Sequence, residues 1–185
     1  MAFTLTSQEF ARERAKSKRS PDMISFSNNL YSQIKGHEGY KNKMYIDRSG
    51  KKPIRTIGIG FNLEEKHNQD FLRSINIDPE DIFEGKEVSD KEIRQMYNHN
   101  LRIAFKDAKD FLPDIASHPR DVQKAIIDMS FNLGRNKLFK FEKTQEALKA
   151  RDYNEASKEM MDSLWATQVK GRAKKLSDMV KKHAK

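Results

Sequence analysis

Apolar positions in the first third of the chain change their period twice, from helical to alternating and back. From Met23, the residues Phe26, Leu30 and Ile34 recur at helical intervals and Gly36 follows as a stop, so residues 21–35 are expected to form an amphipathic helix with Glu38 just beyond its end. Residues 44–47 and 54–61 then alternate around a turn carrying Ser49-Gly50 and Pro53, which predicts two strands with Ile57, Ile59 and Phe61 on one face. Thr56, Gly58 and Gly60 fall on the other face, which either leaves room for a ligand or marks a tight bend. Residues 62–87 are mixed, with Pro79 and Gly85 as breakers.

The helical period resumes at Ser89-Asp90-Lys91-Glu92, a capping box, after which Ile93, Met96, Tyr97, Leu101, Ala104, Phe105 and Ala108 trace one stripe of a long helix ending near Pro113. Such a helix can act as a strut between two lobes. Val122, Ala125, Ile126, Met129 and Leu133 mark one face of the next helix, Ile127 and Phe131 add apolar surface elsewhere, and Gly134 ends it, so it is expected to be buried almost all round. Two more helices are expected, one carrying Ala156, Met160 and Leu164, the other Ala173, Leu176, Val180 and His183. No internal repeat, low-complexity segment or Gly/Ser linker interrupts the pattern. The layout is α+β and mainly helical: residues 23–87 hold the first helix and a small β-hairpin lobe, 88–112 the interlobe helix and 113–185 a helical lobe, with 1–22 as an N-terminal extension.

Composition narrows the classes open to such a chain. No apolar run approaches the roughly 18–20 residues that span a bilayer, and the start turns polar at once without the apolar centre of a secretory signal, so the expectation is a protein held at first in the cytoplasm. The absence of cysteine excludes disulfides and thiolate chemistry. Lysine and arginine outnumber aspartate and glutamate by 36 to 27, and the resulting charge of +9 implies attraction to a polyanion, whether nucleic acid, bacterial wall polymer or anionic lipid. The excess gathers at the ends, in Arg12, Arg14, Lys16, Lys18 and Arg19, and in Lys170, Arg172, Lys174, Lys175, Lys181, Lys182 and Lys185, which are read either as solvated helix faces or as contacts to such a partner.

The chemistry gathers in Gly36-His37-Glu38-Gly39-Tyr40, Tyr45-Ile46-Asp47 and Arg55-Thr56-Ile57-Gly58-Ile59-Gly60. A carboxyl at a helix C-terminus near apolar surface tends to keep its proton, which is what a leaving sugar oxygen requires. Asp47 on a more open strand is expected to stay ionised, able to take a proton from water or support an oxocarbenium-like transition state, and Thr56 could hold that water. His37 beside Glu38 has no second cluster spaced for ligation, so no metal is expected.

Glu38, the interval to Asp47, the Ser-Gly turn and Thr56-Ile57-Gly58-Ile59-Gly60 resemble the signature of phage-type lysozymes, family twenty-four of the glycoside hydrolases. Val88 to Glu92, Asp128-Met129-Ser130-Phe131-Asn132-Leu133-Gly134, and Ser163-Leu164-Trp165 followed by Gln168 and Arg172 continue the likeness in chain order. The resemblance implies a lysozyme-like two-lobe fold and hydrolysis of the β-1,4 bond between N-acetylmuramic acid and N-acetylglucosamine in peptidoglycan, without metal or cofactor. Glu38 would be the general acid, Asp47 the base or electrostatic partner and Thr56 the residue that positions water. Inversion at the anomeric carbon is implied, with the carboxylates about 6.5–9.5 Å apart. Arg172 would pair with Glu38, opposing the effect of the helix end, while Phe131 and Asn132 would line the cleft with Trp165 behind them; for Phe131 and Trp165 core packing is an equal expectation. Phe61 in place of a histidine, Asn132 in place of a glutamine and a longer hairpin loop at Lys51-Lys52-Pro53 depart from the family pattern and bear on substrate preference.

The expected biology is a monomeric endolysin acting on bacterial peptidoglycan, kept in the host cytoplasm until release to the wall. Its basic termini would touch anionic wall polymer or lipid, and nucleic acid is not an obligate partner. Alternatives are a virion-associated lysozyme used at entry, a lytic transglycosylase, and a catalytically relic basic structural or nucleic-acid-binding protein.

Overall fold

A computed structural model describes residues 21–48 and 52–184, with side chains from Ser25 onward. The N-terminal extension as far as residue 20, the Ser49-Gly50 turn, Lys51 and Lys185 lie outside the described residues. The chain divides into two compact units, residues 1–33 and 34–185. In the first, the described part is helical. The second holds the remainder of that helix and every other element below. The fold is about 67% helical with one small antiparallel sheet, the mainly helical α+β, lysozyme-like arrangement expected.

Helix α1 (Pro21–Glu38) runs three residues further than its pattern predicts. Gly36 sits inside it, because a glycine in a helix interior weakens the helix by only about 1 kcal/mol relative to alanine. The stop comes from Gly39, whose φ of +81° is the left-handed conformation that turns a chain out of a helix, with its amide donating to the Lys35 carbonyl at 3.0 Å. Glu38 is therefore the last helical residue, not the first beyond it.

Three strands follow, β1 (Lys41–Asp47), β2 (Ile54–Gly58) and β3 (Phe61–Asn62), in the order β1-β2-β3. The expected single strand over residues 54–61 is thus two, since Gly58 and Gly60 have φ of +65° and +64° and fold the chain back on itself. Ile57, Ile59 and Phe61 are all buried, as their alternation implies. The opposite face is not bare. A side-chain carbon on Gly58 would lie 3.3 Å from Ile93, and one on Gly60 would meet the Glu38 carboxylate, so of the two readings the glycines follow the tight bend.

Helices α2 (Lys66–Ser74) and α3 (Pro79–Phe83) occupy the stretch without a clear period. Pro79 begins α3, where its missing N–H is no loss, and Asp78 caps it. Helix α4 (Asp90–Phe111) opens with the predicted capping box, in which Ser89 and Glu92 each satisfy the other's backbone amide. It packs against β2, β3 and α2 at one end and against α5 (Arg120–Leu133) and α6 (Arg135–Leu138) elsewhere, as a strut would. Phe105 departs from the expected stripe and is exposed. At 3.6 residues per turn it lies roughly 80° round from Tyr97, whereas Ala104 and Ala108 lie within roughly 20°.

In α5 every residue from Ala125 to Ser130 is buried, which makes it the centre of the helical part. Helices α6 and α7 (Glu142–Lys149) were not legible in the pattern. Leu164 does not extend the helix of Ala156 and Met160: that helix, α8 (Tyr153–Met161), ends first, and Leu164 opens α9 (Leu164–Val169) 82% exposed. Helix α10 (Gly171–Lys181) buries Ala173, Leu176 and Val180 and ends before His183.

A half-buried histidine ties the fold to pH. His99 of α4 stacks on Phe71 of α2 with ring centroids 4.2 Å apart, and its Nε2 has no hydrogen-bond partner among the described residues. Burial, then the nearby His67 and Arg102, pushes its titration below the usual 6.5. The unfolded chain takes up this proton first as pH falls, so the contribution is complete above about pH 6.5 and is lost on acidification towards the folded-state value. His99→Phe is expected to narrow the gap between melting temperatures at pH 7 and pH 5, read by calorimetry.

Candidate active site

Glu38 ends α1 with its side chain 19% exposed, and its Oε1 accepts a hydrogen bond from Arg172 Nη1 at 2.6 Å. The guanidinium is already held from behind. Its Nε and Nη2 reach Oδ1 of Asp128 at 2.8 and 2.7 Å, while the other oxygen, Oδ2, lies 3.1 Å from His37 Nδ1. Asp128 has no exposed side-chain surface and Arg172 only 7%. A buried carboxylate needs such partners, since an unpaired one would cost several kcal/mol. Helices α1, α5 and α10 thus meet in a chain of four polar side chains, His37, Asp128, Arg172 and Glu38, ordered by contact.

Gly60 closes the other side of Glu38. A Cβ there would lie 2.7 Å from Oε2 and 3.0 Å from Cδ. With Oε1 tied to Arg172 the carboxylate has little freedom to yield, and the positive φ adds about 1–2 kcal/mol of backbone strain for any residue with a Cβ. Gly60→Ala is expected to slow any turnover that uses the Glu38 carboxyl by at least about tenfold, because displacements near 1 Å at a reacting group carry penalties of that order or more. Steady-state kinetics beside a melting curve would separate this from simple unfolding.

Asp47 and Thr56 come from the sheet. Tyr45 pairs with Thr56 and Asp47 with Ile54, so by strand alternation Tyr45, Asp47 and Thr56 share one face, the last two as diagonal neighbours. Asn62 of β3 pairs with Thr56 from the other side. Thr56 is buried and donates its hydroxyl hydrogen to the Ile54 carbonyl at 3.2 Å. The Tyr45 hydroxyl titrates above its ordinary value, through burial first, then the charges of Asp47 and of Glu38. Both carboxylates therefore act electrostatically on one phenol.

The remaining expected residues form a second group. Trp165 is buried and donates from Nε1 to Oδ1 of Asn132 at 2.8 Å, with Phe141 edge-on to its ring at 5.9 Å between centroids. Phe131 is half-buried, its ring 5.9 Å from that of Tyr97. Trp165 thus packs in the core and acts on Asn132, while Phe131 and Asn132 retain exposed surface.

The sequence reading gave Asp128 and Tyr45 no role, weighed His37 only as a metal ligand, and read Gly60 only as ligand space or a bend. Tyr45 was within reach, since alternation on one strand places it on the face of Asp47. The partnership of His37 with Asp128, 91 residues away, carries no local signal.

Fold and site together define a lysozyme-like protein of the mainly helical α+β kind. The family model for phage lysozyme matches residues 35–185, and the chain belongs to that family. Among curated proteins it is similar to the pre-baseplate central spike protein Gp5 of Enterobacteria phage T4, with 26% identity over 161 residues, 82% of this chain and 27% of that protein. It is also similar to probable T4-type lysozyme 1 of Dictyostelium discoideum, with 25% identity over 167 residues, 82% of this chain and 92% of that protein. The chain thus spans about a quarter of the first relative and nearly all of the second.

Proposed function

We propose that the protein is a peptidoglycan hydrolase, an N-acetylmuramidase cleaving the β-1,4 bond between N-acetylmuramic acid and N-acetylglucosamine, with Glu38 as general acid, Asp47 as general base and Thr56 as the residue that orients water. The observation that carries this reading is the turn after β2, where Gly60 abuts the Glu38 carboxylate while strand register sets Asp47 and Thr56 together on one sheet face. Because Thr56 spends its own hydrogen on Ile54, it offers a water only lone pairs. A water donating one hydrogen to Thr56 and the other to Asp47 turns its free lone pair towards the anomeric carbon. As Glu38 passes its proton to the glycosidic oxygen, the bond from that oxygen to the anomeric carbon breaks. The water oxygen bonds to the carbon from the opposite face, its proton goes to Asp47, and the product is inverted.

Asn132 and Phe131 would contact sugar. With Oδ1 engaged by Trp165, the Asn132 amide nitrogen is oriented to donate, which suits the carbonyl of an N-acetyl group. The reaction as written uses no metal or cofactor. Exposed Lys175 and Lys181 on α10 suit contact with anionic wall polymer or lipid headgroups, and the protein would act as a monomer.

The match to nearly the whole of a lysozyme supports an endolysin, held in the host cytoplasm until it reaches the wall. A second reading has its own observation: the match to part of a central spike protein favours a lysozyme carried in the virion. Proteomics of purified particles separates the two. The activity itself is tested by reducing-end release from purified peptidoglycan, with NMR of the first products. Release with the inverted anomer is the expected result; no release, or anhydromuramic ends, would remove the hydrolase reading.

A further inference from the structure

Arg172 cannot act on Glu38 as a lone cation, because it is the middle member of a chain of charges. Its side chain gives two nitrogens to the fully buried Asp128 and a third to Glu38. Asp128 in turn uses its second oxygen on His37, the residue adjacent to Glu38 and 13% exposed. Two fixed charges of opposite sign thus stand behind the proposed acid, with one titratable cation at the end of the line.

We propose that Asp128 is a positioning residue for the reaction, which fixes Arg172 against Glu38 and offsets its charge there, and that a charge on His37 weakens this offset from the far side. The proposal rests on the reading of Glu38 as general acid. A guanidinium beside a carboxyl favours the ionised form, which is the wrong form for a proton donor. A buried anion on the other side of that guanidinium offsets much of its field, and the offset is large because solvent screens little there. When His37 gains a proton, the trio of His37, Asp128 and Arg172 goes from neutral to singly positive, and the ionised form of Glu38 is favoured again.

Among the described residues, charged and titratable groups reach Glu38 from four elements. Arg172 faces it from α10, Asp128 stands behind that from α5, His37 precedes it on α1, and Tyr45 with Asp47 acts from β1. The Gly60 turn brings only backbone. Removing one charge from either end of the line therefore has opposite signs. Asp128→Asn deletes the compensating anion and should lower the titration midpoint of Glu38. His37→Gln deletes a cation that is present at acid pH, keeps a side-chain N–H for Asp128, and should raise it.

The test is a pH titration of the Glu38 carboxyl carbon by NMR in 13C-labelled protein, wild type against Asp128→Asn and His37→Gln, beside the pH dependence of kcat on purified peptidoglycan. Expected is a fall of about one pH unit in Asp128→Asn and a smaller rise in His37→Gln, in line with shifts made by charges within about 4–6 Å. The alkaline limb of kcat should follow each shift. Coincident titrations in the three proteins, or shifts of the same sign, would overturn the proposal; if Asp128→Asn does not fold, the direction in His37→Gln decides alone. The NMR readout needs no turnover, so opposed shifts in an inactive wild type would count against the muramidase reading, and with it the role in a reaction, while the charge line itself stood.

Discussion

Glu38→Gln is expected to release reducing ends from peptidoglycan roughly 100- to 10,000-fold more slowly than the wild type, the range that general acid catalysis supplies. The substitution keeps size and shape, and an amide has no proton to give to a departing sugar. The surroundings say why the loss should be chemical rather than structural. Arg172 remains bound to Asp128 through two nitrogens, and Gly60 still leaves space for the side chain. The melting temperature should stay within a few degrees of the wild type. A Glu38→Gln protein that retained turnover would take this carboxyl out of the mechanism.

Arg172→Met should act in the opposite manner, mainly on stability. It takes from Asp128, which has no exposed side-chain surface, the cation that reaches it through two nitrogens. Breaking a buried pair by removing one member costs about 3–5 kcal/mol. For a chain of this size that is roughly 6–20 °C in melting temperature. Replacing both Arg172 and Asp128 with apolar residues of similar volume should recover much of the loss, because no buried charge is then stranded. Calorimetry of the single and double variants checks both statements. A single variant as stable as the wild type would mean that Asp128 is neutralised or hydrated in some other way.

Much of the fold could be read along the chain because its strongest signals are local. The capping box at Ser89 and the all-round apolar character of α5 needed no tertiary knowledge to interpret. The errors arose where one residue type can serve two geometries. Gly36 and Gly39 both resemble stops, and only the one that adopts a left-handed conformation is one. Gly58 and Gly60 alternate like strand residues, yet each takes a positive φ, and a third strand results. Short helices such as α6 offer too few turns for a period to emerge.

The site divides along the same line. Glu38, Asp47 and Thr56 lie within one short stretch whose spacing is visible in sequence, and strand register then sets the last two on one face. The charges that govern Glu38 arrive from α5 and α10, and no spacing rule connects them. The glycines beside Thr56 were open to two readings, room for a ligand or a tight bend; the structure makes the bend and gives one of the spaces to Ile93 and the other to Glu38 itself.

The pairing of Glu38 with Arg172 joins residues 134 positions apart. During synthesis the carboxyl emerges from the ribosome long before its cation does, so the nascent chain carries its acid unescorted until α10 has followed it out. A protease that clipped the backbone ahead of α10 would return the molecule to that condition. Such a nick would leave Glu38, Asp47 and Thr56 on one covalent piece and the guanidinium on another.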